Sequence, residues 1–380
     1  MKKIVLSTVA AATLATALTA SGAEEVASSE SSFLDRIHFK GDMRLRYESI
    51  ESDDYKTEVG DKNKYRTRYR LRVFTDIDLA DNLLLETAII SGRDNPTSGN
   101  VTFRDDEPWS DYFVDVLELK ILDIAYTFDH STVKAGKQAY MMYRPIKSQL
   151  VWDNDLLLEG VNYNYTDDTK MLTVGVNQLH RRENEATSTG DINLFLAQYV
   201  HAIKLESSTL NIGAGFYYYD GIKGNSEPYA AGALGNTLVS GLYANDYHIL
   251  EGFGELKFKD VFGKPFAIAA GVAYNTAVDD NNFGYDIGVQ LGKAQDIGDW
   301  QVKYSYTDIE EDAVFAAHSD SDNFGGGSAA KGHAIRTKYK FSEHVDIAGT
   351  FFFNTLYASR CATGIESDYE RVQLDAIIKF

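Results

Sequence analysis

The chain has 380 residues, of which 37 are Lys or Arg and 56 are Asp or Glu, so its formal net charge at pH 7 is −19. This acidic balance disfavours nucleic acid as a partner, because binding to phosphates requires clustered positive charge. Five Pro and the single Cys361 exclude a proline-rich disordered chain and a scaffold held by internal disulfides. The 24 Tyr and 20 Phe fit an ordered protein, and such rings are enriched where a protein meets a membrane surface.

The first 23 residues are typical of a secretory signal peptide. A basic start at Lys2 and Lys3 precedes an apolar stretch over residues 4–18, and small residues follow at 21–23. The apolar stretch is shorter than a membrane-spanning helix requires, and no later segment is apolar enough to form one. We therefore predict a signal peptide at 1–23, a short lead-in at 24–36 and one domain over 37–380.

From residue 37 onward, apolar and polar residues alternate with the period of two that indicates β-strands. In the segment 37–47, the odd positions are apolar, aromatic or Gly, and every even position is charged or His. Four arginines occupy the even positions of the segment 65–73 in the same way. We predict sixteen strands, at residues 37–48, 64–78, 83–91, 113–128, 132–140, 158–166, 171–179, 192–205, 209–219, 243–258, 266–275, 284–293, 299–308, 332–341, 345–356 and 369–380.

The connections between these strands mostly alternate between long and short. Tight connections such as 80–82 and 129–131 alternate with long ones such as 92–112 and 141–157. This is the pattern of a transmembrane antiparallel β-barrel, with short periplasmic turns and long extracellular loops. The sequence therefore predicts an all-β barrel of about sixteen strands, with eighteen as the alternative count. A soluble β-sandwich or β-solenoid is disfavoured, because the Arg, Asp, Gln and Gly residues of the polar faces suit a water-filled lumen.

Three short motifs carry a resemblance to a known family. They are IAYTF at 124–128, VKAGKQ at 133–138 and LEGVNY at 158–163, in a chain that ends on Phe380. With the signal peptide and the strand pattern, the chain resembles Gram-negative outer-membrane porins and looks most like the epsilonproteobacterial Opr or major outer membrane protein type. The resemblance implies an outer-membrane location, contact with lipid and lipopolysaccharide, a homotrimer, and passive diffusion of small hydrophilic solutes and ions.

Six arginines on the first two strands are the candidate pore-lining residues. They follow the polar faces of two strands that are joined by one loop, so they form adjacent columns on the lumen wall of a barrel. Because Arg binds carboxylate and phosphate as a fork, such columns can pass an anion from site to site. Alternatively they pair with acidic loop residues and only shape the field. The six are Arg44, Arg46, Arg66, Arg68, Arg70 and Arg72.

The resemblance also implies that the loop after the fifth strand folds into the barrel as a constriction loop. Within this loop, Asp153 and Asp155 are the acids expected to face the arginines, and Trp152 is expected to pack the loop against the wall. The arginines favour anions, whereas acidic outer loops concentrate cations. The sequence leaves the sign of the selectivity open.

Acidic residues cluster in three of the long loops. We interpret them as a solvated outer surface. Binding of Ca²⁺ or another divalent cation is the alternative, since hard cations take oxygen ligands, although no EF-hand loop is present. The acids are Glu51, Asp53, Asp54, Glu58 and Asp61 in the first loop, Asp105, Asp106 and Glu107 in the second, and Asp320 and Asp322 in the seventh.

No sequence motif points to catalysis. None of the eight His lies in a G-x-S-x-G or H-E-x-x-H pattern, and no phosphate-binding loop occurs. We therefore predict a non-enzymatic porin with no cofactor and no resident metal. Two alternatives stay open: a substrate-specific channel for anionic or carboxylate solutes, and an outer-membrane barrel hydrolase, because a catalytic triad is assembled in space rather than in sequence.

Overall fold

The computed structural model describes residues 33–52, 63–92, 97–103, 117–180, 191–229 and 232–380. The predicted signal peptide at 1–23 and most of the lead-in lie outside the described residues. Phe33–Arg36 forms a single 3₁₀ turn. None of the described helices is long enough and apolar enough to cross a bilayer.

Sixteen strands form one closed antiparallel barrel. Each strand pairs with its neighbours in the chain, and the last strand pairs with the first. The predicted barrel of sixteen strands is therefore confirmed, rather than the eighteen-stranded alternative or the soluble sandwich. The strands are β1 Ile37–Ser52, β2 Asn63–Ala80, β3 Leu83–Ser91, β4 Leu117–Phe128, β5 Ser131–Ala139, β6 Leu157–Thr166, β7 Lys170–His180, β8 Ile192–Lys204, β9 Ser208–Asp220, β10 Tyr247–Val261, β11 Lys264–Asn275, β12 Phe283–Gly292, β13 Trp300–Ile309, β14 Ala330–Lys340, β15 Val345–Leu356 and β16 Ser367–Lys379.

The alternation seen in the sequence becomes an apolar outer face and a polar inner face. On β1, Met43, Leu45 and Tyr47 are exposed on the outside, whereas Arg44 and Arg46 are buried inside. A soluble sheet would bury the first set and expose the second. Because the ladder closes on itself, the barrel has no free sheet edge, as a lipid environment requires.

Three strand boundaries differ from the prediction by four residues, and the others by fewer. β1 extends to Ser52, four residues beyond the predicted end. β10 begins at Tyr247 rather than at 243, because Leu242–Tyr243 instead pairs with Leu238–Val239 in a separate two-stranded ribbon. β4 begins at Leu117, and the preceding part of the predicted strand lies outside the described residues.

Long and short connections lie at opposite ends of the barrel, here called the loop end and the turn end. Four of the long connections bear on the site, and all four reach into the lumen or cover it. We call residues 97–103 the loop 2 segment, 140–156 loop 3, 221–246 loop 5 and 310–329 loop 7. Val101–Thr102 of the loop 2 segment pairs with Tyr69 and Arg68, so it extends the sheet beside β2.

Apolar side chains fill one side of the lumen. Trp152 of loop 3 and Phe315 of loop 7 pack with Tyr217 and Tyr219 of β9 in a cluster of almost completely buried residues. Further members come from β8 and β10, including Ile192, Leu194 and Ile249. We call this region, lined by β8, β9 and β10, the packed side. The opposite wall, formed by β16, β1 and β2, is the polar side of the lumen, apart from Ile50 and Tyr369, which join the apolar cluster at the loop end.

Candidate functional site

The six candidate arginines lie together on the lumen side of β1 and β2. Arg44 is directly opposite Arg70, and Arg46 is directly opposite Arg68. Like charges in opposite positions of a sheet repel each other, so this arrangement requires counter-charges from elsewhere. Together with Arg371 of β16, these seven arginines form what we call the arginine cluster. Five carboxylates neutralise most of it.

Glu48 is the most buried of these carboxylates. Its side chain is fully inaccessible and accepts a charged hydrogen bond from Arg66 of β2. Arg371 of β16 donates to it at 2.7 Å, and an Arg68 nitrogen lies 3.8 Å away. The Gln373 amide donates to it at 3.2 Å. Glu48 therefore joins three neighbouring strands at the loop end of the arginine cluster.

Arg46 is held by two wall carboxylates and one loop carboxylate, and the longest of these contacts is to Glu48, at 3.5 Å. Its guanidinium donates to both oxygens of Asp375, at 2.7 and 2.8 Å, and to Asp322 at 3.0 Å. Arg371 donates to Asp322 at 2.9 Å. Burial opposes the charge on Asp322, but the Arg371, Arg46 and Arg44 guanidinium groups outweigh burial and hold the pKa of Asp322 well below its usual value. Asp322 is therefore an anion at neutral pH.

Loop 7 folds inward, which corrects the prediction that Asp320 and Asp322 lie on a solvated outer surface. Asp322 pairs with the arginine cluster, and Asp320 is buried and accepts hydrogen bonds from Arg336 at 3.0 Å and from Gln149 at 2.9 Å. Loop 7 folds inward for an electrostatic reason. A buried arginine without a counter-charge is costly, and the carboxylates of this loop supply counter-charges to the arginines of the wall.

Asp155 of loop 3 faces the arginines. Its carboxylate accepts a hydrogen bond from Arg70 at 2.8 Å and one from Arg72 at 3.2 Å. Asp42 of β1 contacts the same two arginines from the other side, at 3.2 Å to Arg70 and 2.7 Å to Arg72. Loop 3 therefore touches the lumen wall at the turn end of the arginine cluster.

Asp153 lies elsewhere, which corrects the expectation that it faces the arginines. Its two oxygens accept hydrogen bonds from the backbone N–H groups of Asp155, at 2.7 Å, and Ser321, at 2.8 Å. Its backbone N–H donates to the carbonyl of His318 at 2.7 Å. Burial, with the nearby Asp155 and Asp320 carboxylates, raises the pKa of Asp153 well above its usual value. Asp153 joins loop 3 to loop 7 instead of lining the arginine cluster.

Arg44 has a neutral partner. It donates to the side-chain oxygen of Asn100 at 2.5 Å, and among the described residues no carboxylate lies within ion-pair distance of it. Arg68 donates to the backbone oxygen of Asn100 at 3.2 Å. The Nε atoms of Arg44, Arg68, Arg70 and Arg371 are buried without a hydrogen-bond partner. The centre of the cluster therefore keeps donors that protein groups do not use.

Loop 3 is anchored at both its ends. Trp152 contacts Tyr217 edge to face, with ring centroids 4.7 Å apart, which fixes the loop to the packed side. Arg144 donates to the carbonyl of Trp152 at 3.0 Å and to Asn154 at 2.6 Å. The backbone N–H of Ile146 donates to Glu255 of β10 at 2.9 Å. These bonds hold Asp155 in position against Arg70 and Arg72.

Two cavities lie along the arginine cluster. The larger, of about 590 Å³, is lined by four arginines and by Asp322 as its carboxylate. The smaller, of about 340 Å³, is lined by Arg70, Arg72, Lys120 and Arg144, with Asp155 as its carboxylate. Ser98 of the loop 2 segment lines both cavities. The two cavities therefore lie next to each other on either side of this residue, and each is lined by more cationic than anionic side chains.

The family of the chain follows from a match over most of its length. A family model described as a putative porin matches residues 52–241 and 245–380. The chain belongs to the putative porin family. With the barrel fold, this membership indicates an outer-membrane channel. No curated protein matches the chain.

Solved porin structures share the fold of this porin. OprB of Pseudomonas putida at high pH is 12% identical, with 94% of this chain and 100% of that chain covered and a TM-score of 0.58. OmpF of Salmonella typhi, in a complex with daunomycin, is 13% identical, with 90% and 97% covered and a TM-score of 0.53. A triple mutant of the Rhodopseudomonas blastica porin is 12% identical, with 90% and 100% covered and a TM-score of 0.50. At these identities the likeness concerns the fold.

Several members of the site in this porin are not among the residues predicted from the sequence. Arg371, Gln373 and Asp375 alternate on the polar face of β16, which closes the barrel against β1, so the strand pattern contained their signal. Asp42 and Glu48 lie on the polar face of β1 for the same reason. Nothing in the pattern identifies Asn100, because its position depends on how the loop 2 segment folds.

The alternative sites receive no support from the described residues. Among them, no group of three or more His, Cys, Asp or Glu side chains is arranged to hold a metal ion. Most acids of the first two loops lie outside the described residues: Asp53, Asp54, Glu58, Asp61, Asp105, Asp106 and Glu107. The ring nitrogens of four described histidines, His38, His318, His333 and His344, bond to Asp78, Tyr219, Tyr229, Tyr304 and the carbonyl of Lys379, and none of these partners is a serine.

Proposed function

We propose that this porin is a water-filled channel for passive diffusion of small hydrophilic solutes, with a preference for anions. The observation that carries the proposal is the arginine cluster itself. Its seven guanidinium groups meet five carboxylates: Asp42, Glu48, Asp155, Asp322 and Asp375. The formal excess is two positive charges on one wall of the lumen. Positive charge on a pore wall lowers the energy of an anion that passes it.

The loops supply the constriction in this proposal. Asp155 and Asp322 occupy donors on the arginines that a diffusing anion also needs. An anion that enters exchanges with these carboxylates one arginine at a time, so the wall stays nearly neutral throughout. Arg suits such an exchange because its five donors bind two partners at once. The solute moves down its gradient, and no turnover, cofactor or energy source is involved.

The alternative function, a substrate-specific channel for anionic or carboxylate solutes, uses the same arginine cluster. It differs from a general diffusion channel only in binding its solute more tightly. The hydrolase alternative has no observation in its favour.

We further propose export by a cleaved signal peptide, assembly as a homotrimer, contact with outer-membrane lipid and lipopolysaccharide, and membership of the epsilonproteobacterial Opr or major outer membrane protein type. The sequence resemblance supports these points.

Conductance of the purified porin in a planar lipid bilayer tests the proposal. We expect stepwise ohmic openings and, under a KCl gradient, a reversal potential of the sign for anions. Heat-denatured protein from the same preparation is the control. Absence of openings from the folded protein would overturn the channel, and a cation-selective potential would overturn the preference for anions.

A further inference from the structure

One part of the lumen wall is apolar where a water-filled pore requires polar side chains. Phe74 occupies the lumen position that follows Arg72 on β2, and it packs against a buried cluster of Ala88, Ile90 and Ile121 from β3 and β4. Leu157 of β6 packs against the same cluster. Apolar side chains in contact with water are unfavourable, so a surface of this kind inside a pore suits a solute with an apolar part.

This apolar surface belongs to the smaller of the two cavities. The cavity has a volume of about 340 Å³, which is enough for a solute with a single ring and is at the lower end for small-molecule sites. Phe74, Ile90, Ile121 and Leu157 line it on one side, and Tyr140 and Met142 of loop 3 add to its apolar lining.

Cations surround the same cavity. Arg70, Arg72, Lys120 and Arg144 line it, and Asp155 is the carboxylate of its lining. Glu118, which is not part of the lining, pairs with Lys120 at 2.6 Å, whereas Arg144 forms hydrogen bonds with Asn154 and with backbone carbonyls. Asp155 is shared between Arg70 and Arg72, and the buried Nε of Arg70 has no hydrogen-bond partner. The cavity therefore offers unused donors and an excess of positive charge beside an apolar surface.

Two aromatic rings that line the cavity lie beside guanidinium groups, so apolar surface and positive charge occur together. The guanidinium carbon of Arg72 lies 5.7 Å from the centre of the Phe74 ring, and that of Arg144 lies 5.3 Å from the centre of the Tyr140 ring. Cations at this distance from a ring face attract it. A flat aromatic solute can stack on a guanidinium plane in the same way while its carboxylate takes the N–H donors.

We infer that this cavity is a binding site for small carboxylates with an aromatic or apolar body. The inference rests on the proposed channel, because the solute reaches the cavity through the pore. The site suits a neutral sugar poorly, because most polar groups of the cavity are cationic donors and the rest of the cavity surface is apolar. A short aliphatic carboxylate such as acetate satisfies the donors but leaves the apolar surface uncovered.

Single-channel current in KCl tests the inference, with benzoate as the probe. Added benzoate is expected to reduce the chloride current in a saturable manner at concentrations at least about tenfold below those at which acetate does so, a difference of about 1.4 kcal/mol. Benzyl alcohol, which has the ring without the charge, is expected to leave the current unchanged.

Two lumen variants locate the effect. Phe74→Leu removes the ring and keeps an apolar side chain, and Lys120→Gln removes one lining charge. Each is expected to weaken the benzoate block about tenfold, the loss that corresponds to about 1.4 kcal/mol. Phe216→Leu makes the same change on the exposed outer face of β9, and Lys204→Gln removes an exposed charge at the turn end. These two control variants are expected to be blocked as the unmodified porin is.

The outcomes separate this inference from the proposed function. Ohmic channels with equal block by benzoate and acetate, or with a block that Phe74→Leu does not weaken, would overturn the inference and leave the channel standing. Complete absence of channels would overturn both. A block by benzoate that depends on Phe74 and Lys120 would support the site.

Discussion

The two sides of the lumen bury side chains in opposite ways. On the packed side, Trp152, Tyr217 and Phe315 fill the interior of the barrel with apolar contacts and are almost completely buried. On the opposite wall, Arg46 and Glu48 are just as buried but lie in a network of ion pairs. Apolar packing stabilises the folded barrel and adds no charge to the lumen. Buried ion pairs contribute little net stability, but they set the electrostatic field in the lumen. The comparison indicates that stability depends mainly on the first side and selectivity on the second.

Truncation of the central ring of the packed side should give the largest change in stability. We expect Trp152→Ala to lower the free energy of unfolding by about 3–5 kcal/mol, because it leaves a cavity among Tyr217, Tyr140 and His318. Urea unfolding of the porin in lipid vesicles measures this loss. Trp300→Ala, on the half-exposed outer face, is the matched control and should cost clearly less. Equal losses for the two variants would contradict the role of the packed side.

His318 should make the packed side sensitive to acid. Its ring nitrogens bond to the hydroxyls of Tyr219 and Tyr229, at 3.0 and 3.1 Å, and burial lowers the pKa of His318 from 6.5 to about 3. Between these two values the unfolded chain binds a proton that the folded chain does not. Stability should therefore fall as the pH decreases through this range, by about 3 kcal/mol from pH 7 to pH 4.

Urea unfolding at pH 7, 5 and 4 measures this dependence on acid. We expect His318→Gln to reduce the slope, since it removes the titrating group. His344→Gln changes an exposed histidine at the turn end and should leave the slope as it is. The same slope in the porin and in His318→Gln would show that another group is responsible.

Removal of one loop carboxylate should sharpen the selectivity of the arginine wall with a small effect on stability. Asp155→Asn leaves Arg70 and Arg72 with Asp42 as their shared carboxylate, so the net positive charge of the wall increases. We expect the reversal potential under a KCl gradient to move further toward the value for anions. Asp168→Asn removes the same charge from an almost fully exposed position at a turn and should leave the potential unchanged. A shift of equal size in both variants would mean that total charge, rather than position, decides selectivity.

The strands were predictable because their signal is local. A period of two over ten residues fixes which side chains face the lumen, so Arg44, Arg68 and Arg70 could be placed beside one another from sequence. The positions of the loops, in contrast, depend on contacts between residues that are far apart in the sequence. Asp153 and Asp155 are two residues apart, yet only Asp155 reaches the arginines, because Asp153 is bonded to the backbone of loop 7. Asp322 was misplaced for the same reason, since only the folded barrel brings loop 7 to β1 and β16.

The apolar part of the lumen was also beyond the strand pattern. Ile90 and Phe74 break the polar alternation of the inner face, and in the sequence such residues look like ordinary strand residues. Their significance depends on the cavity that they form with loop 3. Only the folded chain brings Arg144 and Tyr140 to the same space.

The reversal potential of arginine variants tests the central claim most directly. We expect replacement of Arg66, Arg68, Arg70 and Arg72 by Gln to move the potential toward cations, and the single variant Arg44→Gln to move it in the same direction by a smaller amount. Arg44→Gln leaves no carboxylate among the described residues without its ion-pair partner, so its folding is the less affected. Gln at four lysines outside the cluster, Lys204, Lys223, Lys264 and Lys331, controls for total charge. A potential that is unchanged in both arginine variants, or that moves equally in the lysine control, would contradict the account.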